Sequence, residues 1–112
     1  MPLTFLCALA VAIDGDTLRC ANVEAANGRV RLARIDAAEL RAPGGEQARR
    51  ALQAMIEAAG EEPVTCRQVD ADPRIAGFQA HDRYGRVVAR CSASGGDFGT
   101  ALLRAGLAKR WP

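Results

Sequence analysis

Asn27-Gly28-Arg29-Val30-Arg31-Leu32-Ala33-Arg34-Ile35 is the stretch from which the rest of the chain is read. Asn-Gly is the dipeptide best suited to the positive backbone angles of a two-residue hairpin turn. Beyond it, Val30 and Leu32 fall on one face and Arg31 on the other, the period of a strand with one side buried. A strand over Arg29–Ile35 that leaves a hairpin needs a partner before it, and Thr17–Cys20 supplies one. Ahead of that partner, Asp14-Gly15-Asp16 is a tight turn, because Gly and Asp tolerate unusual backbone angles. Leu3–Ile13 then reads as the first strand, with apolar residues at every odd position from Leu3 to Ile13.

Downstream, a Pro43-Gly44-Gly45 loop opens a helix. Ala48, Ala51, Leu52, Met55, Ile56 and Ala59 recur at helical spacing, Glu46 suits the first turn, and Gly60 ends it. Val64–Val69 is a fourth strand. Asp70 to Asp82 is a loop containing Asp72-Pro73 and Gly77. Arg86–Ala93 is a fifth strand, with Val87, Ala89 and Cys91 on one side. Asp97 caps a short helix through Ala101, Leu102 and Leu103, stopped by Gly106. The expected class is α+β, mainly β. Its order is that of a five-stranded OB-type barrel with a helix after strand 3 and a short C-terminal helix. A small α+β sandwich is the competing architecture.

A chain of 112 residues is expected to form one domain, spanning 1–112. At 49% apolar and 25% charged it has enough apolar surface to form a core, which argues against a globally disordered chain. With only 4% aromatic residues, that core must be mostly aliphatic. A net charge of +2 leaves the partner open, and 14 of the 15 basic residues are Arg, with Lys109 the exception. The apolar Met1–Ile13 has no basic residue ahead of it and is too short to span a membrane, so neither a signal peptide nor a membrane anchor is expected there. Cys7, Cys20, Cys66 and Cys91 form no CxxC pair. With His81 the one histidine, no zinc-ligand spacing exists. Strand parity puts all four cysteines on apolar faces, as buried thiols or as one or two disulfides.

Four pieces carry candidate chemistry: Ile13-Asp14-Gly15-Asp16-Thr17, the Arg31 to Glu39 strand end, Asp82-Arg83-Tyr84-Gly85-Arg86, and Gly106-Leu107-Ala108-Lys109. Singly, each has an ordinary reading as a turn, a solvated loop carboxylate or an exposed strand arginine. Together they supply more. Asp16 and Asp36 are hard oxygen ligands suited to Ca²⁺ or Mg²⁺, and flexible loop carboxylates favour Ca²⁺. Glu39 is near enough to Asp36 to act as general base towards water. Arg31 and Arg86 offer forked donors to phosphate oxygens. His81 reads as a solvated loop histidine.

In these four motifs, in this order and spacing, the chain resembles the thermonuclease (staphylococcal nuclease) family from Ile13 to Lys109. The resemblance implies Ca²⁺ held by Asp16, Asp36 and the backbone carbonyl of Ala37, with Asp14 organising water around it. It implies Glu39 as general base, with Arg31 and Arg86 gripping the phosphate, and Arg83 and Tyr84 lining a nucleotide pocket. The activity implied is hydrolysis of single-stranded or flexible DNA or RNA at the phosphorus to 5′-oxygen bond. Stacking on Tyr84 or Trp111 would supply any preference. Ala38 departs from the family, which usually has Pro before the glutamate, and the Asp70–His81 loop is longer than the pattern suggests. The competing function is a non-catalytic nucleic-acid or protein-binding module on the same barrel. A monomer in a secreted or periplasmic setting, without membrane contact, completes the expectation.

Overall fold

The computed structural model describes residues 3–112. Met1 and Pro2, at the head of the apolar N-terminal stretch, lie outside them. That stretch does not run as one strand. It forms β1 (Thr4–Cys7) and β2 (Val11–Ala12) on either side of a turn in which Leu9 has φ 51°. The turn resets which side faces inward: Cys7 and Ala12 are buried, whereas Leu9 and Val11 are exposed. Asn22 braces it, accepting from Ala8 N (2.8 Å) and donating to Leu6 O (2.7 Å). The run of apolar odd positions concealed the break because each half serves a different partner. β1 pairs with β6 (Val64–Gln68) and β2 with β3 (Thr17–Arg19), both antiparallel.

The main sheet continues through β4 (Arg29–Leu32) and β7 (Val87–Ala93), in the hydrogen-bonded order β1-β6-β7-β4-β3-β2, with β8 (Gly96–Asp97) on β7. The two end strands do not pair with each other, yet Cys7 and Val11 are four residues apart, a reach of at most about 15 Å. The sheet must curl until its ends approach. The expected closed five-stranded barrel is thus corrected to an open, curled mixed sheet, whose ends are joined by the chain rather than by a ladder. β4 and β7 are parallel, so a long crossover separates them.

The β3–β4 hairpin exists, with Thr17 opposite Arg31. Its connection is longer than a two-residue turn: Ala25–Gly28 forms a kinked turn with Ala26 and Asn27 both left-handed. The expected Arg29–Ile35 strand also breaks. Arg34 has φ 66°, and β5 (Ile35–Ala37) leaves the main sheet to pair with β9 (Ala108–Arg110). Leu32 and Ile35 have opposite parity in a straight strand, yet both join the core, and the kink reconciles them.

Helix α1 (Gly45–Ala58) buries Gly45, Ala48 and Leu52, and Gly60 follows with φ 60°. Helix α2 (Phe98–Arg104) is capped by Asp97, whose carboxylate accepts from Thr100 N at 2.8 Å. Both helices close over one core cluster, which includes Leu18, Val30, Leu32, Ile35, Leu52 and Leu102. The four cysteines lie in the same cluster as two disulfides, Cys7–Cys20 and Cys66–Cys91. The first ties the end of β1 to the residue after β3, and the second joins directly opposed residues of β6 and β7.

Each bridge closes a short loop, with sequence separations of 13 and 25. Loop-closure entropy then gives about 3 kcal/mol apiece, because cross-linking restricts the unfolded chain. Reduction is therefore expected to lower the thermal midpoint sharply. Calorimetry with and without a phosphine reductant checks this, and an unchanged midpoint would show that the bridges add nothing.

Candidate functional site

The sharp Asp14-Gly15-Asp16 turn is held at both ends. Ile13 N donates to Thr17 O (2.8 Å), Asp16 N to the Asp14 carboxylate (3.1 Å), and Leu32 N to Asp16 O (2.8 Å). Its glycine is required by close approach. A Cβ on Gly15 would lie 2.5 Å from Ala48 Cβ and 2.8 Å from Ala37 Cβ, so the turn is pressed between α1 and β5. This placement buries Asp16, whose carboxylate accepts from Ala37 N (2.9 Å) and Thr17 Oγ1 (3.2 Å).

Arg31 extends from β4 towards this carboxylate and stands between two acids, 3.4 Å from Asp16 and 3.6 Å from Asp36. Both separations are longer than a good hydrogen bond. Its other terminal nitrogen donates to Leu32 O at 2.8 Å, which fixes the fork. Burial pushes the Asp16 carboxyl up to about 6. Arg31 and the Ala37 N–H pull the other way, and the neighbouring Asp14 charge adds to the rise. Buried negative charge here is therefore only partly compensated by the protein itself.

Arg86 enters from the turn before β7. Asp82 organises that turn, accepting from Arg86 N (2.9 Å), Arg86 Nε (2.7 Å) and Tyr84 N (2.9 Å). Among the described residues no hydrogen bond engages the two terminal nitrogens of Arg86, so its fork remains available. Tyr84 is 63% exposed, and the guanidiniums of Arg83 and Arg86 lie 5.0 and 5.1 Å from its ring centre.

These segments meet in one cleft of about 400 Å³. Asp14, Asp16, Arg31, Asp36, Ala37, Glu39, Tyr84 and Arg86 all line it, which brings together every sequence-predicted site residue except Arg83. Arg83 faces an adjoining cavity instead, and His81 is exposed on its rim. Among the described residues, no three His, Cys, Asp or Glu side chains converge closely enough to hold a metal by themselves. The expected ligand set needs only two carboxylates and one carbonyl, all hard oxygens, with water completing the shell. That donor chemistry suits Ca²⁺. Any cation would share both carboxylates with Arg31.

Sequence reasoning missed Gly45. The Glu39 carbonyl accepts from Ala42 N (2.8 Å), and the first turn of α1 packs directly beneath it. A Cβ on Gly45 would overlap that carbonyl oxygen and come within 2.7 Å of its carbon. The helix start thus seats the Glu39 loop. The only available sequence signal was the second glycine of a Gly-Gly pair, which reads equally well as loop flexibility. Arg34, Arg74 and the adjoining cavity were also missed, because their meeting depends on a loop without period.

The chain matches no curated protein. The staphylococcal nuclease homologue family matches residues 29–111, about three quarters of the length. The matched region carries Arg31, Asp36, Glu39 and Arg86 in one cleft, and the Asp16 turn joins them from outside it. On that match the chain belongs to the staphylococcal nuclease homologue family.

Proposed function

We propose that the protein is a Ca²⁺-dependent phosphodiesterase acting on single-stranded or flexible DNA or RNA. The observation that carries this reading is the single cleft in which Asp14, Asp16, Asp36 and Glu39 face Arg31 and Arg86. Glu39, exposed and unpaired among the described residues, takes the proton from the attacking water. Arg31 and Arg86 hold the phosphate oxygens on which negative charge grows as water adds to phosphorus. Ca²⁺ on Asp16, Asp36 and the Ala37 carbonyl would add positive charge to the same oxygens. Asp14 orients the Asp16 turn through its bond to Asp16 N. Arg83 and Tyr84 receive the adjoining nucleotide. Two disulfides fit an oxidising setting, secreted or periplasmic. The protein acts as a monomeric domain.

Hydrolysis of single-stranded DNA is expected to appear with Ca²⁺ and vanish with excess chelator, and Ca²⁺ is expected to raise the thermal midpoint by mass action. Folded protein that binds an oligonucleotide but never cleaves it would instead support a non-catalytic binding module. That second reading is favoured by one observation: among the described residues no three His, Cys, Asp or Glu side chains converge closely enough to hold a metal by themselves.

Gly45→Ala supplies an independent check on the seating of Glu39. A displacement of about 1 Å in a reacting group costs about 10²-fold in rate. The variant is expected to lose activity on that order while keeping its Ca²⁺-induced stabilisation, since the atoms a Gly45 Cβ meets first belong to Glu39 and Leu40 and not to the Asp16 turn. Full activity would mean that the loop yields without consequence.

A further inference from the structure

From the start of β4 onwards the chain runs along the site. Arg29 lines the acidic cleft alone, Arg31 lines both the cleft and the adjoining cavity, and Leu32 and Arg34 line only that cavity. Arg83 also lines only the cavity, so Arg29 stands at the opposite end of the cleft. No step of the hydrolysis described above uses it.

Arg19 lies directly opposite Arg29 in the β3–β4 ladder. Both side chains are exposed, and among the described residues neither guanidinium meets a carboxylate. Two like charges directly opposed across strands cost stability. The fold nevertheless holds them side by side. A Cβ on Gly28 would come within 3.2 Å of Arg19 Cγ, so the bare glycine leaves room for the arginine stem. Ala26 of the same turn lines the cleft beside Arg29, and turn and arginine form one rim. On its other flank Arg19 pairs with Val11 of β2, which is 48% exposed. From Arg29 to Arg31 the strand rises about 6.6 Å, comparable with one repeat of a sugar-phosphate backbone. A positive pair without counter-charge, one repeat from an arginine that holds the scissile phosphate, has the chemistry to take the neighbouring phosphate.

We propose that Arg19 and Arg29 form a subsite for the next backbone phosphate of the substrate strand, on the side of the scissile bond away from Arg83. The proposal rests on the phosphodiesterase reading above and goes beyond it, because the preferred substrate then continues past the cut in this direction and carries a phosphate there. Contact with the backbone alone brings no sequence preference.

Kinetics in Ca²⁺ with three substrates test it: a thymidine dinucleotide, and the same dinucleotide with one added phosphate at its 5′ or at its 3′ end. At one of the two ends the added phosphate is expected to raise kcat/KM. Arg19→Gln and Arg29→Gln should each cut that gain about two- to fivefold, the scale of an exposed ion pair, and leave the other end as it was. Each gain is a ratio within one variant, so a general loss of activity cancels. Arg19→Lys should retain the gain, since an exposed phosphate contact needs charge more than a fork. Arg90→Gln is the matched control. It takes the same charge from another opposed arginine pair, Arg67 and Arg90, outside both spaces, and should alter neither gain. On an oligothymidylate tetramer, the slope of log kcat/KM against log salt should become shallower by about 0.7 in the Arg19→Gln/Arg29→Gln double variant, for one lost phosphate contact. No gain at either end in the unaltered protein, gains and salt slope unchanged in the variants, or an equal loss in Arg90→Gln overturns the subsite while hydrolysis upholds the function. Folded protein that hydrolyses neither the tetramer nor the dinucleotides overturns both.

Discussion

Glu39→Gln is expected to lower the rate of single-stranded DNA hydrolysis about 10²–10⁴-fold, with thermal stability unchanged. The substitution keeps the size of the side chain and removes only its ability to take a proton. Glu39 is exposed, and among the described residues no hydrogen bond or ion pair holds its carboxylate, so the fold does not depend on its charge. Its backbone is fixed by the Ala42 bond and by the start of α1, which keeps the loop in register whatever the side chain carries. Single-turnover rates in saturating Ca²⁺, beside the thermal midpoint, separate chemistry from folding. A rate within about tenfold of wild type would remove Glu39 from the role of general base.

Arg31→Lys and Arg86→Lys are each expected to cost about 10²–10³ in rate, the scale for losing one charge-stabilising donor in a transition state. Lys keeps the positive charge but loses the planar fork, so the comparison isolates geometry from net charge. Arg31 carries an added burden because it stands between Asp16 and Asp36. Its replacement should also alter Ca²⁺ affinity, whereas that of Arg86, bound to Asp82, should not. Arg50→Lys, exposed on α1 outside both cavities, is the control and should stay within about tenfold. Measuring kcat and KM separately checks the assignment. A rise in KM with unchanged kcat at both positions would mean uniform binding of phosphate, with no preference for the transition state.

The residues that meet in the cleft were legible in the chain because their chemistry is local to short motifs. Asp-Gly-Asp marks a tight turn, an arginine alternating with Val30 and Leu32 marks the outward face of a strand, and Asp82 to Arg86 marks a charged turn entering a strand. What the motifs did not contain was the path of the strands between them. Leu3–Ile13 reads as one strand because apolar alternation does not register a reversal at Ala8-Leu9, where polar side chains from Asn22 satisfy the backbone. Arg29–Ile35 reads as one strand because a left-handed arginine has no compositional signature.

The mainly β class, the Asp97 cap and the burial of all four cysteines followed from the sequence, since periodicity and capping act over a few residues. Only the tertiary structure decided three things. It paired Cys7 with Cys20 and Cys66 with Cys91, a choice among equal chemical possibilities set by which strands lie side by side. It left the sheet open and curled rather than closed, because the N-terminal stretch divides between two partners at opposite ends of the ladder. It also brought the Asp16 turn, the Glu39 loop and α1 together through Gly15 and Gly45, contacts between segments up to 33 positions apart that no local pattern encodes.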